Sequence, residues 1–368
     1  MHVLVVNAGS SNLKLRLLDE ADDVPLSRDL SLTPEGLDED ALVDAFSDVA
    51  DQVDATGHRI VHGGRTFTGG VVVDERVRDQ LNSLIPLAPL HQPQSLAALD
   101  AVTRALPHLP AVACFDTAFH SSLPPAAATY ALPREWRERY AFRRYGFHGL
   151  SHAYAAGRAA EMLERPLDDL RIVTCHLGAG ASLAAVDGGR SVDTTMGFTP
   201  LEGLVMATRS GTVDPGLVLW LLQEAGLPAK EIADALEHGS GLKGLAGTAD
   251  MRAVLAAADR GDPDASLAID VYLHRLCASV AAMTVSMHGL DVLVFTGGVG
   301  ENAPPIRQQT SDRLRLLGID IDPETNQAVA GDADISSSSA DVHTLVITAR
   351  EDIQIAREVR RVVDSSSS

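Results

Sequence analysis

Positively charged residues are scarce in this chain of 368 residues. It has 30 Lys and Arg against 50 Asp and Glu, which gives a formal net charge of −20. A surface of this sign repels nucleic acids and anionic membranes, so we expect neither as a partner. Lysine occurs only at positions 14, 230 and 243. An anionic ligand would therefore be held by a few cations gathered at one place.

Cysteine and long apolar segments are also scarce. The three cysteines, Cys114, Cys175 and Cys277, are odd in number and lie in apolar contexts without paired spacing. This pattern argues against a disulfide framework or a zinc site and is typical of a reducing compartment. The N-terminus lacks the charged and apolar blocks of a signal peptide, and we expect no apolar run of membrane-spanning length. We therefore expect a cytoplasmic protein.

Two common nucleotide-binding signatures are absent. The sequence has no Gly-x-x-x-x-Gly-Lys-Ser/Thr segment, which argues against a Walker-type P-loop. It also has no His-Arg-Asp…Asn loop, which argues against a protein kinase. A phosphate-binding function would have to use a different arrangement of glycines and cations.

What the chain does contain is a local pattern that recurs. Residues 3–6 and 13–18 are predicted strands that flank a small polar turn at 7–11, and 171–189 repeats this arrangement. A third glycine-rich loop follows a buried strand within 292–302. With 45% hydrophobic residues, a chain of this length can bury two cores. We therefore predict an α/β protein with two duplicated lobes that hold a polyphosphate between them.

The first turn has the features of a phosphate-binding cup. Gly9 allows a ligand to approach the backbone closely, and Ser10 and Ser11 supply hydrogen-bond donors without bulk. Lys14 adds a cation beside the turn. The alternatives are an ordinary β-hairpin turn and a solvated lysine on a strand.

Two charged residues lie at the ends of predicted buried strands. Arg59 precedes Gly63 and Gly64, and a buried guanidinium needs an anion, which could be a ligand or a carboxylate of the protein. Asp116 ends another apolar strand, at the position where open α/β sheets bind their ligands. A helix-capping role for Asp116 is the alternative.

Three further candidates lie in loops or at a helix start. His148 lies in a glycine-rich segment dense in arginine, histidine and aromatic residues, before a helix that we expect Ser151 to cap. Arg209 lies in the irregular segment 196–215, and long irregular segments inside compact domains usually carry function. Glu351 opens the last helix, where an acidic residue also simply favours the helix dipole.

Together these candidates supply the parts of a phosphoryl-transfer site. Such a site needs Mg²⁺, cations near the equatorial phosphate oxygens and an acceptor held in line. The oxygen ligands suited to Mg²⁺ are Asn7, Asp116 and Glu351, and the cations are Lys14, Arg59, His148 and Arg209. The residues alone therefore predict a two-lobed phosphotransferase that acts on a small molecule.

The same residues lie in segments that resemble the acetate kinase family. The resemblance runs in order from residue 1 to about 360 and is carried by Asn7-Ala-Gly-Ser-Ser, Gly57-His-Arg-Ile-Val-His-Gly-Gly, Ala88-Pro-Leu-His, Phe115-Asp-Thr-Ala-Phe-His, Arg144-Tyr-Gly-Phe-His-Gly, Thr174-Cys-His-Leu-Gly, Met196-Gly-Phe-Thr-Pro-Leu-Glu-Gly, Thr208-Arg-Ser-Gly-Thr-Val-Asp-Pro and Gly300-Glu-Asn. It implies an actin-like ATPase fold of two ribonuclease-H-like lobes with the active site in the cleft between them. The N-terminal lobe would comprise 1–117 with 352–368, and the nucleotide-binding and dimerisation lobe 118–351.

The family resemblance also implies a reaction. The chain would be a homodimer that converts ATP and acetate to ADP and acetyl phosphate, reversibly, with Mg²⁺ or with Mn²⁺ in its place. By position, Arg59 would hold the acetate carboxylate. The apolar pocket around the acetate methyl group would be formed by Val61, Leu90 and Pro200.

Roles in phosphoryl transfer follow from the same resemblance. Asn7 and Glu351 would bind the metal, and Asp116 would be the catalytic acidic residue that orients Arg59 or a water of the metal. His148 and Arg209 would stabilise the planar transferring phosphoryl group. Lys14 and Ser10 would lie near the phosphates. The nucleotide would be lined by His176, Leu177, Gly178, Ala179, Gly180, Asp250, Met251, Arg252, Gly298, Val299, Gly300, Glu301 and Asn302.

Several positions depart from the family pattern. Asn12 replaces a usual serine in the first turn and Ala179 a usual asparagine, while Leu150 and Gln92 replace threonine and asparagine. The first two changes concern nucleotide affinity more than reaction type. A propionate kinase is the nearest alternative, because a pocket discriminates one methylene by only about 1–3 kcal/mol. A non-catalytic nucleotide-binding sensor of the same fold is the alternative from another class.

Overall fold

The chain divides into two compact units. A computed structural model describes residues 1–9, 12–31, 44–89 and 91–366. The first unit consists of Met1–Ser121, Phe147–Tyr154 and Arg350–Ser368, and the second of Ser122–Gly146 and Ala155–Ala349. Within the described residues, each unit contains one six-stranded sheet.

The strands have the following bounds. The first sheet contains β1 (Val3–Ala8), β2 (Asn12–Leu18), β3 (Leu26–Ser31), β4 (Ala55–Ile60), β5 (Val71–Val72) and β6 (Ala111–Phe115). The second sheet contains β7 (Arg171–Leu177), β8 (Ala181–Asp187), β9 (Arg190–Thr194), β10 (Val292–Thr296), β11 (Ala333–Asp334) and β12 (His343–Val346).

The two sheets share one plan. The first has the order β3-β2-β1-β4-β6-β5, with β1–β2 and β2–β3 antiparallel and β1–β4 and β4–β6 parallel. The second has the order β9-β8-β7-β10-β12-β11 with the same sequence of strand directions. The short edge strands β5 and β11 are both antiparallel to their neighbours. The predicted duplication is thus confirmed at the level of sheet topology.

Helices connect and cover the strands. The α-helices are Glu75–Ser83, Gln92–Ala105, Pro125–Ala128, Arg134–Tyr140, Gly149–Met162, Pro215–Gln223, Ala229–His238, Gly241–Ala246, Met251–Asp259, Pro263–Ser286, Gly297–Asn302, Pro304–Leu314, Pro323–Ala328 and Glu351–Ser366. Short 3₁₀ helices are Ser47–Gln52, Ile85–Leu87, Ala118–Ser122, Leu167–Asp169 and Arg315–Leu317.

The first sheet is buried on both faces. Leu4 and Val6 of β1 belong to a core cluster with residues of the helix Gln92–Ala105. The helix Glu351–Ser366 packs against β1, β4 and β6. A Cβ at Gly57 of β4 would lie 2.6 Å from a methyl group of Ile355 in that helix. The glycine therefore permits this close approach, which brings the start of the helix to the sheet.

The longest helix, Pro263–Ser286, covers the second sheet. It packs against β7, β8 and β9. By length and composition it could also cross a membrane, contrary to our expectation that no apolar run is long enough. In its most apolar stretch, 44% of the residues are buried within the protein. The core helix of a soluble protein meets the same length and composition criteria, so this finding is weak evidence for a membrane.

Candidate active site

Three parallel strands of the first unit carry polar side chains near their carboxyl ends. Because β1, β4 and β6 run in parallel, these ends meet at one edge of the sheet. Asn7 lies near the end of β1, Arg59 near the end of β4, and Asp116 directly after β6. The topology of the sheet, rather than a local motif, therefore brings the three side chains together.

Arg59 is the centre of this cluster. It donates from Nε to Oδ1 of Asp116 at 3.1 Å and from Nη2 to Oδ2 at 2.5 Å. It also donates from Nη1 to Oδ1 of Asn7 at 3.3 Å. Glu351, at the start of its helix, lies 3.7 Å from Nε of Arg59 and accepts a hydrogen bond from Nδ2 of Asn7 at 3.2 Å. Four of the predicted site residues thus form one connected group.

The sequence left open whether the anion that Arg59 needs is a ligand or a carboxylate of the protein. Arg59 does make an internal ion pair, with Asp116, whose side chain is 1% exposed while that of Arg59 is 17% exposed. The carboxylate of Asp116 is turned to the arginine, as expected for a residue that orients Arg59. The remaining N–H groups of the guanidinium can still donate to a second anion.

Burial sets the protonation behaviour of the pair. Burial raises the pKa of Asp116 to about 6, Arg59 opposes this rise and Glu351 adds to it. Burial also disfavours the charged guanidinium, but Asp116 and Glu351 outweigh it and raise the pKa of Arg59 above its ordinary value. The arginine is therefore charged, and it faces two carboxyl groups.

The oxygens of this cluster fit a magnesium ion. Within the described part of the chain, no group of three or more His, Cys, Asp or Glu side chains is arranged to hold a metal by itself. Mg²⁺, however, usually binds through one or two protein oxygens together with waters and substrate phosphates. The hydrogen bond from Nδ2 of Asn7 to Glu351 holds the side-chain amide beside the carboxylate, while Oδ1 of Asn7 accepts from Arg59. The cluster also contains one guanidinium and two carboxyl groups, so its charge balance favours a further cation.

His148 belongs to the first unit, and the residue that follows it contacts Asp116. It precedes the helix Gly149–Met162 and has φ = 57°, a left-handed conformation that is uncommon for a residue with a side chain. The N–H of Gly149 donates to the carbonyl of Asp116 at 2.8 Å, and a Cβ there would lie 2.2 Å from that oxygen. The predicted cap at Ser151 is wrong, because the helix begins two residues earlier.

Part of the predicted acid pocket also lies in the first unit. Val61 is buried directly after β4. The backbone of the next residue, His62, exchanges two hydrogen bonds of 3.2 Å with the side-chain amide of Gln92. Gln92 thus fixes the end of the strand that carries Arg59 and Val61. The predicted positions Leu90 and Ser10 lie outside the described residues.

Lys14 lies on β2 directly opposite Asn7 of β1, so the two side chains share one face of the hairpin. Its side chain is exposed. A cation on the face of Asn7 is compatible with a role beside phosphate, and the alternative of a solvated strand lysine stays open.

Arg209 lies in the second unit. It donates from Nη1 to the carbonyl of Pro200 at 2.9 Å and to Sδ of Met206 at 3.5 Å. A carboxylate oxygen of Glu237 lies 3.6 Å from its Nε. Burial lowers its pKa, and Glu237 opposes this shift. Among the described residues, the guanidinium of Arg209 therefore has one carboxylate partner, which lies farther away than Asp116 does from Arg59.

A cavity of about 670 Å³ lies in the second unit, which is within the usual range for small-molecule sites. It is lined by eight predicted nucleotide-binding positions: Gly178, Ala179, Asp250, Met251, Arg252, Gly298, Val299 and Asn302. Sequence reasoning did not identify five others in its lining: Ala207, Leu242, Ala249, Tyr272 and Ala303. Among the described residues, the predicted positions outside this lining are His176, Leu177, Gly180, Gly300 and Glu301.

Glu301 does not line the cavity but stabilises the short helix that does. Its Oε1 accepts from the N–H of Gly297 at 2.9 Å and from that of Ala349 at 3.0 Å. Its side chain therefore fixes the start of the short helix Gly297–Asn302, whose residues Gly298, Val299 and Asn302 line the cavity.

Sequence reasoning missed a second support of this helix, Arg307. It is fully buried, and its Nη1 donates to the carbonyls of Gly300 and Glu301 at 2.8 and 2.7 Å. Nε and Nη2 donate to the side-chain oxygen and the carbonyl of Asn326, both at 2.7 Å. An arginine followed by two glutamines in a helix gives no local sign of burial, so the sequence offered no signal for this role.

Comparison with known proteins identifies the family. The model of the acetokinase family matches residues 35–357. A protein named acetate kinase from Deinococcus deserti is 44% identical over 99% of this chain and 98% of its own length. Its counterpart from Deinococcus radiodurans is 45% identical over the same shares.

Solved structures agree with this assignment. The crystal structure of Porphyromonas gingivalis acetate kinase aligns with a TM-score of 0.90 and 36% identity, covering 98% of this chain and 99% of that one. A propionate kinase from Francisella tularensis aligns with a TM-score of 0.89 and 35% identity, covering 97% and 98%. The predicted duplicated, actin-like α/β fold is thus confirmed, and the chain belongs to the acetokinase family.

Proposed function

We propose that this protein is an acetate kinase that transfers the terminal phosphoryl group of ATP to acetate and runs in either direction. The chain is a family member over nearly its full length, and curated relatives carry that name. The structural observation that carries the proposal is Arg59, which is held by Asp116 and Asn7 and still has N–H groups for a carboxylate substrate.

In the proposed reaction, a carboxylate oxygen of acetate attacks the γ-phosphorus of ATP in line with the leaving group. The new bond joins that oxygen to phosphorus, the bond to the β,γ-bridging oxygen breaks, and ADP leaves with the electron pair. Arg59 holds the other carboxylate oxygen, and Asp116 keeps the guanidinium in place. Val61, Leu90 and Pro200 accept the methyl group.

The transferring group gains negative charge on its equatorial oxygens, and cations must stabilise it. We assign this role to Arg209 and His148. The distance of 3.6 Å between Nε of Arg209 and the carboxylate of Glu237 supports the assignment, because an ion pair of this length compensates the charge of the arginine only in part. Lys14 and Ser10 would contact the phosphates.

Asn7 and Glu351 would hold Mg²⁺, or Mn²⁺ in its place, and the ion would neutralise phosphate charge when bound. The nucleoside would occupy the cavity beside Ala179 and Met251. We propose an N-terminal lobe of 1–117 with 352–368 and a nucleotide-binding lobe of 118–351. The compact units differ from these bounds mainly in that Phe147–Tyr154 and Glu351 belong to the first unit.

The substrate acid is the point on which a second candidate exists. A structural neighbour at 35% identity is named a propionate kinase. A methyl pocket distinguishes acids that differ by one methylene by only about 1–3 kcal/mol. Comparison of kcat/KM for acetate, propionate and butyrate decides between them, and a preference for a longer acid would replace our assignment.

A hydroxamate assay tests the activity itself. Purified protein with ATP, Mg²⁺ and acetate should produce acetyl phosphate, which hydroxylamine traps as a coloured iron complex. Failure to form product while ATP still binds would instead support the non-catalytic nucleotide sensor.

We also propose that the protein is a cytoplasmic homodimer. The helix Pro215–Gln223 of the second unit has no buried residue, and its side chains Leu217, Leu219, Trp220 and Leu222 are 43 to 55% exposed. Such an apolar patch is typical of a protein interface. Light scattering should give twice the chain mass, and Trp220→Glu should reduce it to the monomer.

A further inference from the structure

A hydrogen-bonded clamp holds the segment that carries Pro200. Tyr130 donates from its hydroxyl to Oε2 of Glu202 at 2.6 Å and accepts at that hydroxyl from the N–H of Phe198 at 2.8 Å. Arg144 donates from Nη2 to the other oxygen of Glu202 at 2.7 Å. Both carboxylate oxygens of Glu202 are therefore engaged by residues that precede it by more than fifty positions.

Arg144 extends the clamp along the backbone. Its Nη1 lies 3.0 to 3.2 Å from the carbonyls of Thr194, Thr195 and Met196, at the carboxyl end of β9. Its guanidinium lies 5.6 Å from the ring centroid of Tyr130, within cation–π range. The clamp of Tyr130, Arg144 and Glu202 thus contacts the segment 194–202 at both ends and at Phe198.

The backbone of the segment also passes very close to the clamp. A Cβ at Gly197 would lie 1.8 Å from Oε2 of Glu202 and 2.2 Å from the hydroxyl of Tyr130. The carbonyl of Gly197 accepts from the N–H groups of Tyr145 and Gly146 at 3.0 and 3.3 Å. The glycine lets the backbone run directly over the Tyr130–Glu202 contact.

Pro200 links this clamp to Arg209. It lies between Phe198 and Glu202, which are both fixed by Tyr130, and its carbonyl accepts the hydrogen bond from Nη1 of Arg209. Because Arg209 has no closer carboxylate than Glu237 at 3.6 Å among the described residues, this carbonyl is its best-defined anchor. A displacement of Pro200 would therefore move the guanidinium as well.

We propose that Tyr130 and Glu202 are positioning residues that fix Pro200 for acid selection and, through its carbonyl, orient Arg209 for phosphoryl transfer. The inference rests on the proposed acetate kinase function and extends it to residues outside the predicted site. Neither residue would touch the substrate. Their effect would be transmitted by the backbone of 198–202.

Tyr130→Phe tests the inference with the smallest possible change, since it removes the hydroxyl and keeps the ring. We expect kcat with acetate to fall about 10- to 100-fold, the scale on which a small misplacement slows a reaction, while the KM for ATP stays unchanged. The ratio of kcat/KM for propionate to that for acetate should rise, because Pro200 is less firmly held. A mere loss of folded protein would lower both rates equally and leave this ratio constant.

A matched control is Tyr140→Phe, because Tyr140 is 52% exposed on a surface helix of the same unit. It should match the wild type in both rates and in the ratio. Glu202→Gln, which can accept from only one of its two partners at its single oxygen, should reproduce the effect of Tyr130→Phe.

A double variant tests the route of the effect. If Tyr130 acts through Arg209, Tyr130→Phe should have no further effect on kcat in an Arg209→Ala background. The inference would be overturned if the two substitutions lowered kcat multiplicatively. It would also be overturned if Tyr130→Phe had the same rates and acid ratio as an active wild type. Neither result would contradict the proposed kinase activity. A wild-type protein that forms no acetyl phosphate would overturn the proposed function instead.

Discussion

Arg59 and Asp116 form a two-pronged ion pair that joins the ends of neighbouring parallel strands. The guanidinium donates to both carboxylate oxygens, and the aspartate is almost fully buried. Such a pair contributes little net stability when intact, because desolvation of the charges offsets their attraction. Its value is geometric, since it fixes the plane of the guanidinium. The pair therefore has two separable consequences, one for substrate binding and one for stability.

The first prediction concerns substrate binding. Arg59→Met should raise the KM for acetate about 10-fold or more, because a charge-assisted hydrogen bond to the carboxylate is lost, and should leave the KM for ATP near the wild-type value. Initial rates at varied acetate and saturating ATP measure this. The matched control is Arg78→Met, which breaks a two-pronged pair with Asp100 in the same unit. An equal rise in both KM values would remove the role of Arg59.

The second prediction concerns pH and stability. Because the folded-state pKa of Asp116 is raised to about 6, the folded protein binds a proton more tightly than the unfolded chain, and the free energy of unfolding falls as pH rises towards 6. Arg59→Met removes the charge that opposes this shift, so the pKa of Asp116 should rise further. Each further unit adds about 1.4 kcal/mol to the loss at high pH.

The variant should therefore lose more stability relative to the wild type at pH 8 than at pH 5. Urea unfolding at the two pH values measures the difference. Adding Asp116→Asn to the Arg59→Met variant should abolish this difference between the two pH values, because the titrating group is gone. A loss that is equal at both pH values would show that Asp116 is not the group responsible.

The third prediction concerns Arg209. Arg209→Ala should lower kcat by roughly 10³-fold, as for a transition-state arginine, with smaller changes in either KM. Arg209→Lys should recover only part of the rate, because an ammonium cannot reach the Pro200 carbonyl and the phosphoryl oxygens with the same planar geometry. Arg313→Ala serves as the control, since Arg313 pairs with Asp270 on the surface of the same unit. Unchanged kcat in Arg209→Ala would exclude the assigned role.

Local patterns made the sheets predictable. The hairpins β1–β2 and β7–β8 follow from alternation of apolar residues around glycine-rich turns, and the duplicated order follows from their repetition. Arg59 and Asp116 could be identified because a charge at the end of a buried strand is costly without a purpose.

Contacts between distant segments could not be predicted. Tyr130 and Glu202 meet only because an irregular segment folds back over Gly197, and no periodic pattern encodes that path. The start of the helix at Gly149 was misjudged for a related reason. A serine N-cap is a local sequence preference. At the observed helix start, by contrast, the backbone N–H of Gly149 donates to the carbonyl of Asp116, which is distant in the sequence.

The fourth prediction concerns Arg307, which such reasoning also missed. Within the described residues it makes no ion pair, and its buried guanidinium is satisfied by carbonyl and amide oxygens alone. Burial lowers its pKa to about 10, so it remains charged at neutral pH. Two of its acceptors, Gly300 and Glu301, belong to the short helix that lines the cavity. The arginine therefore ties that helix to Asn326.

Arg307→Lys should raise the KM for ATP more than the KM for acetate, because an ammonium cannot satisfy Asn326 and the two carbonyls with the same fork geometry. Each buried acceptor left without a donor should also cost about 1–3 kcal/mol of stability. The control is Arg315→Lys, in the 3₁₀ helix that follows. The side chain of Arg315 is 64% exposed, so this substitution should alter neither the KM values nor the stability. Thermal unfolding and initial rates separate the two effects. If Arg307→Lys lost stability while both KM values stayed constant, the arginine would support the fold of the second unit without setting the shape of the cavity.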